Sequence, residues 1–305
     1  MLEALAHGVY SGLAWVRRRP FPAFLIAAFT FSWAEWLSLV ASGARVGPGR
    51  LPTDLAGMTG PALAAFTVTA IAGGEAGLKE FALRIARIPW RSAWFWLLAP
   101  SPLLVALATL GVLSASGLPV PGAASFARYA GLPPLPLLAV FDLVLLCAGF
   151  GQEIGWRGMA LPRLQARYGP LSGALLVAVP WGIWLLPLLA VNPARFSLDA
   201  SPFARLAGSA MLVLASSVVL AFVVARTRGS VVAAAFWHAS LRMATATDGG
   251  RGMVGAVVIA AVMGAAVVLV AAELVVRRRG DSLLVPVPGG FSARKAGDIP
   301  ARKPI

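Results

Sequence analysis

Four ionisable side chains lie in or beside long apolar segments of this chain, and they form two pairs. Glu153 and Arg157 are four residues apart, and so are His238 and Arg242. Side chains with this spacing lie on one face of a helix, so Glu153 and Arg157 can neutralise each other. An ionisable group inside a membrane is costly unless it is paired or faces a polar cavity, so both pairs mark a candidate functional site.

Three further polar residues, Glu35, Asp142 and Gln152, fall within apolar segments. Asp142 and Glu153 are eleven residues apart, close to three helical turns, which predicts that they share a face. Asp142 is therefore a candidate binding residue, and a cross-helix ion pair with Arg242 is the alternative. Glu35 is expected to form a hydrogen bond with a neighbouring helix.

The composition determines which class of protein must position these groups. The chain is 59% hydrophobic and 12% charged, with a mean hydropathy of +0.81, whereas soluble domains are about 25% charged. We predict an all-α, polytopic transmembrane helix bundle of about eight spans with both termini cytoplasmic, since helices of roughly 17–25 apolar residues cross a bilayer. The predicted spans are residues 23–41, 57–73, 93–114, 135–156, 171–191, 206–225, 231–247 and 254–276.

The net charge of +14 follows from membrane orientation. With both termini inside, 19 of the 26 Lys and Arg residues fall on the cytoplasmic side and seven on the other, as the positive-inside rule expects. We therefore expect the lipid bilayer as a partner and no nucleic acid. The Arg-, Ala- and Gly-rich composition indicates a bacterial source, and hence a multi-pass protein of the cell (plasma) membrane.

The segments outside the spans indicate a single domain. Residues 1–22 are predicted to be a cytoplasmic N-terminal segment, residues 23–279 the transmembrane helical domain, and residues 280–305 a disordered, basic cytoplasmic tail. Residues 76–90 are basic and amphipathic, which favours a short interfacial helix. The single cysteine, Cys147, excludes a disulfide framework and a cysteine-based metal site.

Three stretches of the chain, taken in order, resemble the motifs of the CPBP family of intramembrane proteases, also called the CAAX protease or Abi family. The family pattern is Glu-Glu-x-x-x-Arg, then aromatic-x-x-x-His, then His-x-x-x-Asn or Asp. Residues 152–164 (QEIGWRGMALPRL) resemble the first motif, residues 181–189 (WGIWLLPLL) the second and residues 236–242 (FWHASLR) the third. The resemblance covers a core of about residues 57–247.

The resemblance implies a site in which the first Glu and the second-motif His activate a water, assisted by the third-motif His and Asn. Here Gln152, Leu185 and Arg242 occupy three of these four positions, whereas His238 matches, as does the second Glu, Glu153. An amide cannot take a proton from water, and a leucine can neither accept a proton nor bind zinc. Because each lost acid–base group removes about 10²–10⁴-fold in rate, proteolysis is expected to be severely impaired or lost.

Two functions remain open on these residues. The first is a pseudoprotease that binds a peptide or a membrane-protein partner without cutting it. In that case Trp181, Trp184 and Trp237 would line the binding cavity, unless they only pack or belt the interface. The second is a divergent active endopeptidase that uses His238 with Glu153 or Asp142.

The remaining expectations concern the histidine and metal. Glu153 is expected to point away from Gln152 around the helix, and His238 is expected either to bind a ligand or to bond with a backbone carbonyl or Gln152. One histidine without an obvious carboxylate partner falls short of the three protein ligands of a catalytic zinc site. We therefore expect no cofactor and no metal, with zinc conceivable only for an active protease.

Overall fold

A computed structural model describes residues 11–49, 51–192 and 201–285. Within these ranges the chain is helical with no β-strand, apart from two isolated β-bridges, Pro48 with Ala130 and Tyr129 with Thr247. This architecture confirms the predicted polytopic helical bundle. Residues 11–18 are also helical and directly precede the first named helix.

The helices are numbered in chain order. They are α1 (Pro20–Ala41), α2 (Gly60–Ile85), α3 (Ala93–Leu98), α4 (Ser101–Ala115), α5 (Ala123–Phe126), α6 (Leu137–Tyr168), α7 (Pro170–Trp184), α8 (Leu186–Val191), α9 (Pro202–Arg226), α10 (Val231–Ala246) and α11 (Met253–Arg277). A short 3₁₀ turn, Gly57–Thr59, leads into α2.

Five of these helices are long and apolar enough to cross a membrane. They are α1, α2 together with its preceding turn, α6, α9 and α11. Helices α4 and α7 are apolar but shorter, with 15 residues each. Helix α10 has 16 residues, nearly all of them buried, so it lies inside the bundle. The predicted spans at residues 93–114, 171–191 and 231–247 thus correspond to shorter helices.

Proline explains why two predicted spans are divided. The span at residues 93–114 becomes α3 and α4, with Pro102 in the first turn of α4, and the span at 171–191 becomes α7 and α8, with Pro187 in the first turn of α8. Proline has no backbone N–H and its ring clashes with the preceding turn, so it favours the first turn of a helix, although Pro180 lies inside α7.

Helix α2 also departs from expectation. Its backbone breaks at Gly74, where φ is +61° and ψ is −157°, a conformation that favours glycine because it has no Cβ. The segment after this break continues as part of α2 to Ile85, so the interfacial helix predicted at residues 76–90 is shorter and joined to the preceding span.

The segment after α11 folds back onto the bundle. The Ser282 hydroxyl and the Leu283 amide donate hydrogen bonds of 2.8 and 2.7 Å to the buried Glu273 carboxylate. Leu284 is buried, and its carbonyl accepts a 2.9 Å bond from Gln165 of α6. The tail predicted from residue 280 therefore begins with an ordered turn. Residues 286–305 lie outside the described part of the chain, as do residues 1–10.

Helix α6 packs against α2 and α10, and glycines on α6 allow the close approach. A Cβ at Gly155 would lie 2.5 Å from the Pro61 Cβ, one at Gly151 would lie 2.7 Å from the Met58 carbonyl oxygen, and one at Gly149 would lie 2.7 Å from the Ala235 carbonyl oxygen. Small residues at such interfaces let the backbones of membrane helices meet.

Replacing Gly155 by alanine is therefore expected to destabilise the fold by about 1–3 kcal/mol, the usual cost of overpacking. Gly111 in α4 is the matched control, because a Cβ there meets nothing within 4 Å. The denaturation midpoint of each variant in mixed detergent micelles measures the difference. Equal midpoints for Gly155→Ala and Gly111→Ala would contradict the tight α2–α6 contact.

Candidate functional site

Helix α6 changes its winding twice around the candidate site. Residues Leu145–Phe150 and Trp156–Ala160 form π-helical turns, and the α-helical turn Gly151–Gly155 lies between them. A π-turn bonds residue i to i+5, so each residue advances less than 100° around the axis, and such turns occur frequently at functional sites. The candidate residues Gln152 and Glu153 lie in the α-helical turn between these two π-helical turns.

This winding corrects the prediction for Asp142. Asp142 is exposed, whereas Glu153 is completely buried, so the two side chains do not share a face. The reason is the π-turn between them, which rotates Asp142 away from the direction that ideal helical spacing gives. Asp142 is not part of the assembled site.

Glu153 is the centre of a buried polar cluster. Its carboxylate forms an ion pair with Arg157, with Nη1 at 3.2 Å from Oε1 and 3.1 Å from Oε2, as their spacing predicted. The same Oε1 lies 2.6 Å from Nδ1 of His238 on α10. A single carboxylate thus connects α6 to α10 and binds two basic side chains.

His238 therefore contacts Glu153, one of the two carboxylates that the active-endopeptidase hypothesis gave it. The expected bond to Gln152 or to a backbone carbonyl is wrong: Nδ1 of His238 faces the Glu153 carboxylate, whereas Gln152 bonds to Trp181. A carboxylate on one ring nitrogen fixes the orientation of an imidazole, as it does in serine protease triads. The described residues form no hydrogen bond with the other ring nitrogen of His238.

Trp181 of α7 completes this cluster. Its indole Nε1 donates a 3.0 Å hydrogen bond to Oε1 of Gln152, and the Gln152 amide nitrogen donates to the Met58 sulfur at 3.8 Å. The Arg157 guanidinium lies 4.2 Å from the centre of the Trp181 ring, a cation–π contact. The His238 ring meets Trp181 edge to face at 5.7 Å. Both ends of the Gln152 amide are thus occupied.

Leu185 lies four residues beyond Trp181, where α7 ends. It lines an apolar cavity of about 300 Å³ between the α7–α8 region and α9, which opens at the surface of the bundle, since Val179, Ile183 and Leu186 of its lining are 42–55% exposed. Gly182, Leu189, Leu206 and Ser209 contribute to the same cavity. The position that would carry the second-motif histidine is therefore part of an apolar surface.

Arg242 lies one helical turn after His238 and is 8% exposed. Its Nε and Nη2 donate to the Tyr129 hydroxyl at 3.0 and 2.5 Å, and its guanidinium lies 5.5 Å from the Tyr129 ring centre. The predicted ion pair with Asp142 does not form, since Asp142 is exposed elsewhere on α6.

The three tryptophans do not form one cluster. Trp184 packs against Trp36 at 4.7 Å and Trp156 at 5.9 Å, on the side of the bundle that faces α1. Trp237 is buried in the hydrophobic core. Only Trp181 joins the polar cluster, because residues three positions apart on a helix still differ in direction by about 60°.

Two contacts of the site had no clear signal in the sequence. Met58 belongs to the turn before α2 and Tyr129 to the loop before α6, so neither belongs to a motif-bearing helix. Both residues lie within the proposed core of residues 57–247 but outside its three motifs. Glu35 accepts a hydrogen bond from the backbone amide of Gly57 in that turn, the cross-helix bond expected of it.

The cluster does not suit a catalytic zinc ion. Such sites use three protein ligands and an open position, whereas Glu153 and His238 are bonded to each other and Glu153 is paired with Arg157. Across the residues that the structure describes, no group of three His, Cys, Asp or Glu side chains could hold a metal.

Known proteins resemble the part of the chain that contains this cluster. Residues 134–244 match the family model described as type II CAAX prenyl endopeptidase Rce1-like. A stretch of 53 residues is 43% identical to CAAX prenyl protease 2 of Methanococcus maripaludis, and it covers 17% of this chain and 19% of that protein. The family match extends from just before α6 to the end of α10 and contains all three motifs.

Proposed function

We propose that this multi-pass membrane protein, whose residues 134–244 match the type II CAAX prenyl endopeptidase Rce1-like family model, is a pseudoprotease. It would bind a peptide or a membrane-protein partner without cleaving it. The observation that carries the proposal is Gln152, a fully buried amide at the position of the first motif Glu, bonded to Trp181. An amide so placed cannot remove a proton from a water molecule.

The other two substituted positions support the same proposal. Leu185 presents an apolar side chain to an apolar cavity, and Arg242 is bonded to Tyr129. General acid–base groups contribute about 10²–10⁴-fold each, and their effects are not additive. The first Glu of motif one and the His of motif two are both absent. His238 is then the one remaining match among the four positions expected to activate water.

Binding is supported by the apolar cavity beside Leu185. Its volume of about 300 Å³ is at the lower end of the roughly 300–1,000 Å³ of ligand sites. We place the protein in a bacterial plasma membrane with both termini cytoplasmic, without nucleic-acid partners and without a bound metal.

One observation favours the alternative, a divergent active endopeptidase. The 2.6 Å contact between His238 and Glu153 places a carboxylate where it could orient the imidazole ring, so that His238 could act as a general base. Asp142 cannot share in this role, because it is exposed on another face of α6.

A cleavage assay separates the two functions. The purified protein in liposomes is incubated with a prenylated peptide ending in a CAAX sequence, the substrate that the relative's name indicates. We expect the turnover of the wild-type protein to equal that of a His238→Ala variant and of empty liposomes. Turnover by the wild type that disappears in His238→Ala would establish the active alternative.

A further inference from the structure

Arg226, in the last turn of α9, is surrounded by aromatic rings and not by acidic groups. Its guanidinium lies 5.3 Å from the centre of the Phe222 ring and 5.9 Å from the centre of the Trp94 ring on α3. The two rings meet edge to face at 6.3 Å. Cation–π attraction, which is strongest for an indole, therefore fixes the position of this charge.

The N–H groups of Arg226 are not used by the protein. Its Nε is buried and forms no hydrogen bond with the residues that the structure describes, and the ion pairs among those residues do not include it. By contrast, Arg84 donates to the Gly158 carbonyl at 2.9 Å, and Arg163 donates to the Met159 carbonyl at 2.8 Å. Because a buried N–H without an acceptor is unfavourable, Arg226 is placed for an acceptor that the chain does not supply.

Further positive charge lies at the same place. The Ser230 hydroxyl, just before α10, donates a 3.1 Å hydrogen bond to the carbonyl oxygen of the arginine that follows α2, and this bond joins the α2–α3 connection to the α9–α10 turn. Three further arginines are exposed in these two connections, namely Arg87, Arg91 and Arg228. Neither residues 81–141 nor residues 200–247 contain Asp or Glu. The local charge therefore suits an anion.

Exposed tryptophans place this charge at the surface of the membrane. Trp94, Trp96 and Trp90 are 45%, 64% and 73% exposed, and the Trp96 indole donates to the Trp90 carbonyl at 2.8 Å. Tryptophans at the ends of membrane-spanning helices typically lie at the level of the lipid headgroups. Arg226 is itself the last residue of a helix long enough to cross the bilayer. An anion bound here would lie at the depth of the lipid phosphates.

We propose that this arginine–tryptophan junction binds the phosphate of an anionic phospholipid. The junction consists of Arg87, Arg91, Arg226, Arg228, Trp90, Trp94 and Trp96. Free phosphate has the same chemistry, but the exposed indoles favour a lipid, whose glycerol and upper acyl chains pack against them. Basic pockets between membrane helices on the cytoplasmic side bind such headgroups, and the proposed orientation makes this the cytoplasmic leaflet. The site uses none of the residues that contact Glu153, so it does not depend on the proposed pseudoprotease function.

The test is native mass spectrometry of the intact purified protein in a mild detergent, titrated with phosphatidylglycerol or with phosphatidylcholine of the same acyl chains. We expect phosphatidylglycerol to bind at least about fivefold more tightly, the effect of one arginine near a membrane surface. Arg226→Gln should remove most of this preference, and Arg226→Lys should keep a larger part because the charge remains. Arg167→Gln is the matched control, since Arg167 is exposed and lies 5.2 Å from the Tyr168 ring centre, and it should keep all of the preference.

The comparison of the two lipids on the wild-type protein needs no variant, and equal affinities there would overturn the proposal. An equal loss of preference in Arg226→Gln and Arg167→Gln would show a general effect of surface charge and no built site. Inorganic phosphate that displaces phosphatidylglycerol at the concentration at which it binds by itself would overturn the assignment of a lipid. Retention of the preference in wild type and Arg167→Gln, with its loss in Arg226→Gln, would support the proposal.

Discussion

Replacing Glu153 by glutamine is expected to lower the free energy of unfolding by about 3–5 kcal/mol, the cost of removing one partner from a buried ion pair. Glu153 and Arg157 are both completely buried at the side chain, so water cannot replace the lost charge. The amide would also weaken the bond to His238, which joins α6 to α10. One substitution therefore disturbs two helices.

Detergent denaturation followed by circular dichroism measures this effect, with Glu75→Gln as the control. Glu75 is exposed on α2, so the same chemical change there should leave the midpoint almost unaltered. The double variant Glu153→Gln/Arg157→Met should recover much of the loss, because it leaves no buried arginine without a counter-charge. A Glu153→Gln midpoint equal to that of Glu75→Gln would show that the cluster does not hold the fold together.

The triple variant Gln152→Glu, Leu185→His and Arg242→Asn is expected to cleave the prenylated CAAX peptide at least about 10²-fold faster than the wild-type protein, since it regains general acid–base groups. A carboxylate at position 152 can still accept the hydrogen bond that Trp181 now donates to Gln152, so the local packing should survive. His238 already has the carboxylate that orients its ring.

The control for this gain of activity is the same triple variant carrying His238→Ala, which should return to background. Each single substitution alone should remain close to background, because groups that act as a unit are strongly non-additive. A folded, monodisperse triple variant without turnover would contradict the view that these three positions account for lost proteolysis.

Local spacing was enough to predict several features of the molecule. The apolar composition confined the chain to membrane helices, because hydrocarbon requires every backbone polar group to be satisfied within the helix. The order of the three motifs indicated the resemblance to the CAAX proteases, and residues 134–244 match an Rce1-like family model. The ion pair between Glu153 and Arg157 followed from a four-residue interval, since both partners belong to one helix and need no other element.

Contacts between different helices could not be predicted from residue spacing. Spacing assumes uniform winding, and the π-turn at Leu145–Phe150 separates Asp142 from Glu153. Nothing local to His238 identifies Glu153 as its partner, because the two residues are 85 positions apart in the chain.

The bonds of Gln152 to Trp181 and of Arg242 to Tyr129 have the same origin. The packing of α6, α7 and α10, with glycines that allow close approach, sets which polar groups meet. A buried polar group forms its hydrogen bond with whichever partner the fold brings within about 3 Å. The tertiary arrangement of the helices therefore determines the partner.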